Sequence, residues 1–182
     1  MCNVKTLTRA CGNANLPGTQ AKLYLIPKEE ILAWPTVGAG SEYGAAKTLT
    51  TAWSLVTTSG KGYWRELDIL VDSGVIRIAL EGNVGSKFYR NMVDFFIQGL
   101  QKEQLQLADD LAACSGCLIG MIALKGGTTI VLGDLSNPLF LEAAEGGATN
   151  EEVGLKYTLM CNTGLTPMIY NSGLAIDTTP GA

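Results

Sequence analysis

Cys114 and Cys117 make a CxxC, a spacing used by redox pairs and by half of a zinc site. A four-cysteine zinc site needs a second such pair, and Cys2, Cys11 and Cys161 are spread along the chain. A redox pair normally opens a helix, whose N-terminus stabilises the thiolate. Here the pair follows a helical stretch, at the end that disfavours a thiolate. These residues therefore point to structural thiols.

The chain contains no histidine. That removes the commonest general base and metal ligand, and with it Ser-His-Asp and Cys-His machinery. Neither a GxxxxGK[ST] phosphate loop nor a GxGxxG fingerprint occurs. The acidic doublets Glu29-Glu30, Asp109-Asp110 and Glu151-Glu152 read as solvated surface, because adjacent residues on a helix do not share a face. A glycosidase-type carboxylate pair stays open as an alternative. Trp34, Trp53 and Trp64 are able to stack on sugars, although core packing is the commoner fate of tryptophan. No cofactor, metal or catalytic residue is expected.

Alternation of apolar and polar residues defines most elements. Ala21 to Ile26 reads as a short strand ended by Pro27, with Leu23 and Leu25 on one face and Lys22, Tyr24 and Ile26 on the other. Glu29 to Trp34 fits one helical turn stopped by Pro35. Val37 to Lys47 reads as a loop, and Thr48 to Thr58 has a β-type composition. Gly60 and Gly62 mark a turn. Leu67, Ile69 and Val71 then share a face opposite Glu66 and Asp68. Asp72-Ser73-Gly74 follows, and the next run places Ile76, Ile78 and Leu80 inward with Arg77 and Glu81 outward. This reads as a β-hairpin.

Lys87 to Ile97 is compatible with a strand and with a helix, since Phe88, Met92, Phe95 and Phe96 also fit a helical face. Gln101 to Ala113 predicts a helix with a stripe of Leu105, Ala108, Leu111 and Ala112, Leu107 at its edge and Gly116 past its end. Cys117 to Leu124 and Thr128 to Leu132, joined by Lys125-Gly126-Gly127, predict a second hairpin. Gly146 and Gly147 read as a loop, Leu155 to Asn162 as an alternating strand, and Pro167 to Ile176 as an edge strand. Residues 1–18 read as an N-terminal arm and 178–182 as a flexible tail. The pattern predicts one domain over 1–182, of seven or eight strands and one helix: a β-sandwich or partly closed barrel with a helix on one side.

Apolar residues make up 47% of the chain and charged ones only 16%, against roughly 25% in typical soluble domains. Apolar surface left over in such a chain points to subunit contacts; a plain Gly- and Thr-rich β domain is the alternative. The net charge of −4 and the lack of clustered Lys or Arg argue against tight nucleic-acid binding. The start of the sequence lacks a signal-peptide pattern, and no apolar run is long enough to span a bilayer, so no membrane insertion is expected.

An ordered set of segments carries a resemblance. Glu81-Gly82-Asn83-Val84-Gly85-Ser86-Lys87-Phe88 leads to Phe95-Phe96-Ile97-Gln98-Gly99, then the helix from Gln101. Ile130-Val131-Leu132-Gly133, Asn137-Pro138, Glu145-Gly146-Gly147-Ala148-Thr149 and Gly154-Leu155-Lys156-Tyr157-Thr158-Leu159 follow in that order, and Leu16-Pro17-Gly18 with Leu23-Tyr24-Leu25-Ile26-Pro27 precedes them. In this order the chain resembles the tail tube (major tail) proteins of long-tailed bacteriophages. The resemblance favours the strand over Lys87 to Ile97. It implies a virion structural protein, made in the host cytoplasm and placed in the virion tail. Such a homo-oligomer forms hexameric rings that stack into a tube for genome passage. The implied partners are the tape measure and tail terminator proteins, with DNA passing transiently and non-specifically. A mildly acidic lumen would repel DNA, with Glu66, Asp68 and Glu81 as the lumen-facing acids. The Val37 to Lys47 loop and the N-terminal arm would bridge rings. Other readings are a head decoration or connector subunit, a carbohydrate-binding module using Trp53 and Trp64, and a small hydrolase.

Overall fold

The computed structural model describes residues 19–40, 44–148, 153–171 and 173–180. The expected N-terminal arm and Cys2 and Cys11 lie outside them, as do Glu151 and Glu152 and the last two residues of the expected tail.

The chain builds β1 (Thr19–Pro27), β2 (Ile31–Ala33), β3 (Thr48–Leu49), β4 (Ser54–Leu55), β5 (Arg65–Asp68), β6 (Val75–Glu81) and β7 (Phe88–Gln98). Helix α1 (Lys102–Ala113) follows, then β8 (Leu118–Leu124), β9 (Thr129–Leu132), β10 (Phe140–Ala148), β11 (Val153–Thr163) and β12 (Met168–Tyr170). The larger sheet has six strands in the order β3-β12-β9-β8-β1-β5, the smaller has four in the order β10-β11-β7-β6, and β2 pairs with β4. The two main sheets form a sandwich, and neither closes into a barrel.

Alternation explains the layering. Leu23 and Leu25 of β1, Leu118 and Ile122 of β8 and Leu132 of β9 face the smaller sheet, which answers with Val93, Phe95 and Ile97 of β7 and Tyr157, Leu159 and Cys161 of β11. Phe95 and Tyr157 are cross-strand partners, stacked with ring centroids 5.2 Å apart. The opposite face of the larger sheet is buried too. Ile26, Ile119, Met121, Val131 and Tyr170 pack there beneath Ile31, Leu49 and Trp64. The expected faces of β1, the strand over β7, the β8–β9 hairpin and the alternation of β11 are all present.

Several expectations are corrected. β5 and β6 do not pair: β5 joins β1 in the larger sheet and β6 joins β7 in the smaller. The Asp72-Ser73-Gly74 turn is an arch that carries the chain from one layer to the other. Asp72 takes φ +63°, and a Cβ at Gly74 would lie 2.4 Å from Thr19 Oγ1, so only glycine fits the crossing. The Ser73 hydroxyl accepts the Phe96 N–H at 3.1 Å and pins the arch to β7. Ile78 and Leu80 are 48% and 52% exposed, because β6 runs past the end of the core. Ile76, on the same face, does reach it.

The turn expected over Glu29 to Trp34 is a short 3-10 turn over Lys28–Glu30, followed by β2. Thr48 to Thr58 holds two minimal strands, β3 and β4, and the described residues hold twelve strands in all. Gly146 and Gly147 lie within β10 instead of a loop. β12 is internal, between β9 and β3, instead of at an edge.

Helix α1 opens on a capping box between Gln101 and Gln104. Its buried stripe runs through Leu107, Ala108, Leu111 and Cys114, and Leu105 is 50% exposed. The stripe is thus turned from the expected one, because Tyr157 and Leu118 set which side of the helix meets the core. Leu111→Ala is expected to cost about 2–5 kcal/mol in chemical denaturation, against less than about 1 kcal/mol for Leu105→Ala. Equal losses would show that the helix is seated differently.

Candidate functional site

Cys117 and Cys161 sit where thiolates are disfavoured. Cys114 caps α1, and the Cys117 thiol donates to the Cys114 carbonyl at 2.7 Å. Burial pushes Cys117 up to about 11, with the neighbouring Cys114 adding to the shift. Burial pushes Cys161 up to about 11 as well, against the opposing pull of Gly133 and Asn91. Neither thiol is poised as a nucleophile at neutral pH.

Two carboxylates among the described residues are buried, Glu30 and Asp94, and both are partnered. Arg65 reaches both oxygens of Glu30, at 2.6 and 2.7 Å, and the Gly62 N–H donates to Oε2 at 2.8 Å. Burial pushes the Glu30 carboxyl upward. Arg65, Gly62 and Lys61 together outweigh that and hold it below its usual value. The pair ties the 3-10 turn to the entry of β5, and the Arg65 guanidinium also lies 4.3 Å above the Tyr63 ring. Its role is structural.

The three tryptophans form one cluster. Trp34 meets Trp53 edge-on with centroids 4.9 Å apart, and Trp53 meets Trp64 at 5.1 Å. Trp64 is fully buried and Trp53 half-buried, so this pair packs in the core, the commoner fate of tryptophan. Among the described residues no group of three or more His, Cys, Asp or Glu is placed to hold a metal. Among them, too, no helix is long and apolar enough to cross a membrane.

The sheet edges are where the molecule remains unfinished. The larger sheet ends in β3, two residues long, and in β5, whose Glu66 and Asp68 are exposed. Short length and charge are the usual protections of an edge. The smaller sheet ends in β6 and β10, seven and nine residues long, and neither has a partner on its outer side among the described residues. β6 exposes Val75, Ile78 and Leu80, each between 47% and 52%. The β6–β7 turn adds Val84 at 98%. A long, apolar, unpaired edge is a template for another chain.

The outward face of the smaller sheet sets ion pairs among Phe88, Met92, Phe96 and Met160. Arg77 meets Asp94 at 2.6 Å, and the Thr158 hydroxyl donates to Asp94 at 2.7 Å. Arg90 of β7 reaches Glu81 of β6 at 3.4 Å, Glu142 of β10 at 3.8 Å, and Met160 Sδ of β11 at 2.8 Å. The three acids singled out from the sequence do not share a surface. Glu66 and Asp68 project from β5 of the larger sheet, and Glu81 projects from β6 of the smaller one. Glu66 is ion-paired with Lys22. Sequence reasoning missed the edge character of β6. No local signal marks it, because the exposure of Ile78 and Leu80 depends on how far the core extends beneath β6.

Comparison with protein-family models, curated proteins and solved structures finds no match to this chain.

Glu30→Gln leaves Arg65 without its charge partner and is expected to cost about 1–3 kcal/mol at pH 7. Because the folded carboxyl titrates below its unfolded value of about 4.3, that stability is present above pH ~4.3. It is lost as pH falls through the folded value. The difference between wild type and Glu30→Gln, followed by urea unfolding, should shrink in acid; a difference that grew there would contradict the pairing.

Proposed function

We propose that this chain is a non-catalytic structural subunit that assembles with copies of itself into closed rings, and that stacked rings form a tube of the phage tail type. The observation that carries the reading is the pair of open edges on the smaller sheet, β6 and β10.

The four strands of this sheet run antiparallel throughout. With an even number of alternating strands, β6 and β10 point in opposite directions. When copies are related by rotation about an axis along the strands, β6 of one meets β10 of the next antiparallel. The ladder then continues from copy to copy and closes without an edge. The contact is heterologous, as a ring requires. Ile78 and Leu80, which the isolated chain leaves in water, become covered. The phage resemblance supplies the ring size of six and the passage of DNA.

In this arrangement the outer face of the smaller sheet lines the channel. Glu81 is then the lumen acid of the three, joined by Glu142 and Glu145. Glu66 and Asp68 belong to the outer layer. A carbohydrate-binding role has lost its support, since Trp53 and Trp64 pack on one another.

Ile78→Lys and Leu80→Lys place charge on the β6 edge at exposed positions, so the fold should survive. Removing about 2 kcal/mol of apolar burial per contact should raise the concentration needed for assembly ~30-fold. Sedimentation velocity and electron micrographs of the purified protein check this. A wild-type chain that stayed monomeric at high concentration would refute the reading. Dimers alone, from β6 pairing with β6, would refute the ring.

A further inference from the structure

The two ends of the smaller sheet differ in a way that suits one to the other. β7 runs from Phe88, beside the β6–β7 turn, to Gln98 at the far end. At about 3.3 Å per residue the two ends are ~33 Å apart. At the near end, Gly82 to Lys87 make a turn whose Val84 is 98% exposed. Lys87 stands beside it and makes no ion pair among the described residues.

At the far end lies a groove of about 390 Å³ lined by Phe96, Glu145, Gly147, Gly154 and Lys156. The register aligns Glu145, Lys156 and Phe96 across three strands, and Gly147, Gly154 and Gln98 beside them, so all share the outward face. Glycines leave this floor free of side chains. At Gly154 the absence is enforced, because a Cβ would lie 2.4 Å from the Phe96 ring and 2.4 Å from the Ile97 carbonyl oxygen. At Gly147 nothing lies within 4 Å of an added Cβ. Glu145 is exposed and makes no ion pair among the described residues.

We propose that the Val84 turn of one copy seats in the glycine groove of a second copy, with Lys87 meeting Glu145, and that this joins copies end to end along the strand direction. The inference rests on the self-assembly reading and names the axial contact within it. A projecting valine matches the bare glycines beside the Phe96 ring, and Lys87 matches Glu145, neither of them ion-paired among the described residues. Plug and groove are different surfaces at opposite ends, so the contact propagates instead of closing as a two-fold. One turn covers far less than the ~1,200 Å² of a standard stable interface. The contact is therefore weak between single chains and strong only when a ring presents several at once.

The test uses the full-length chain, scored by micrographs for rings and for stacks, with circular dichroism to verify the fold. Val84→Asp alters an exposed tip. Gly147→Leu fills the groove from within, at a position with open space. Val84→Asp should leave rings intact, and both should raise the concentration needed for stacks at least about tenfold, since a Val-sized apolar contact is lost. Lys87→Glu and Glu145→Lys should each weaken stacking, and the double exchange should restore it. Stacks that form as in wild type in Val84→Asp and Gly147→Leu would overturn the axial contact and leave the ring reading standing. A double exchange no better than its parents would overturn the Lys87–Glu145 pairing. Absence of rings in the wild type would overturn both readings together.

Discussion

The larger sheet is buried on both faces, and the rest of the molecule follows from that burial. β1 and β8 carry apolar side chains on alternate sides, so Leu23 and Leu25 face one layer and Ile26 the other, as do Ile122 and Met121. A sheet of this kind needs two covers. The smaller sheet and α1 provide one. The tryptophan cluster, with β2, β4 and the segment after β12, provides the other. Most large apolar side chains are consumed in these two contacts, and the smaller sheet is left covered on a single face.

That asymmetry decides where strand edges stay open among the described residues. The larger sheet closes its margins with a two-residue strand and with the charges of β5. The edges of the smaller sheet are longer, and the β6 charges Arg77 and Glu81 are drawn inward to Asp94 and Arg90 of β7. β6 carries Val75, Ile78 and Leu80 into solvent, which a chain with only 16% charged residues has little means of masking. Low charge and open edges are two expressions of one property. Part of the surplus apolar surface lies on β6 and its turn; the rest, with Leu32, Val71, Leu105 and Leu165, is spread over other parts of the described chain.

Elements defined by local pattern were legible in the sequence. β11 and the β8–β9 hairpin show alternation or a glycine turn between two apolar runs, and both signals are local, whereas the residues of β7 fit a strand and a helix alike. The arch between β5 and β6 was not legible. Asp72-Ser73-Gly74 has the same chemistry whether the strands it joins pair with each other or separate into two layers. Leu67 and Ile76 face the core in either case. β12 and β3 pair in parallel across a long stretch of chain, which leaves no local mark. Gly146 and Gly147 carry loop composition yet sit in a strand, where they serve the groove beside Phe96. For the candidate site, the exposure of Ile78 and Leu80 depends on how far the core extends beneath β6. That is a property of layer packing and not of β6 itself. The sugar-stacking reading of the tryptophans failed for a related reason: Trp34, Trp53 and Trp64 meet only after folding.

Arg90 has a mechanical consequence. Its guanidinium, on the central strand β7, is in ion-pair range of carboxylates on both marginal strands, Glu81 on one side and Glu142 on the other. Drawing both margins toward a point on the same face bows the sheet toward that face, as a stay bends a sail. In a closed circle of copies the bow of each sheet is the angle it subtends, so a single cation would share in choosing the circumference.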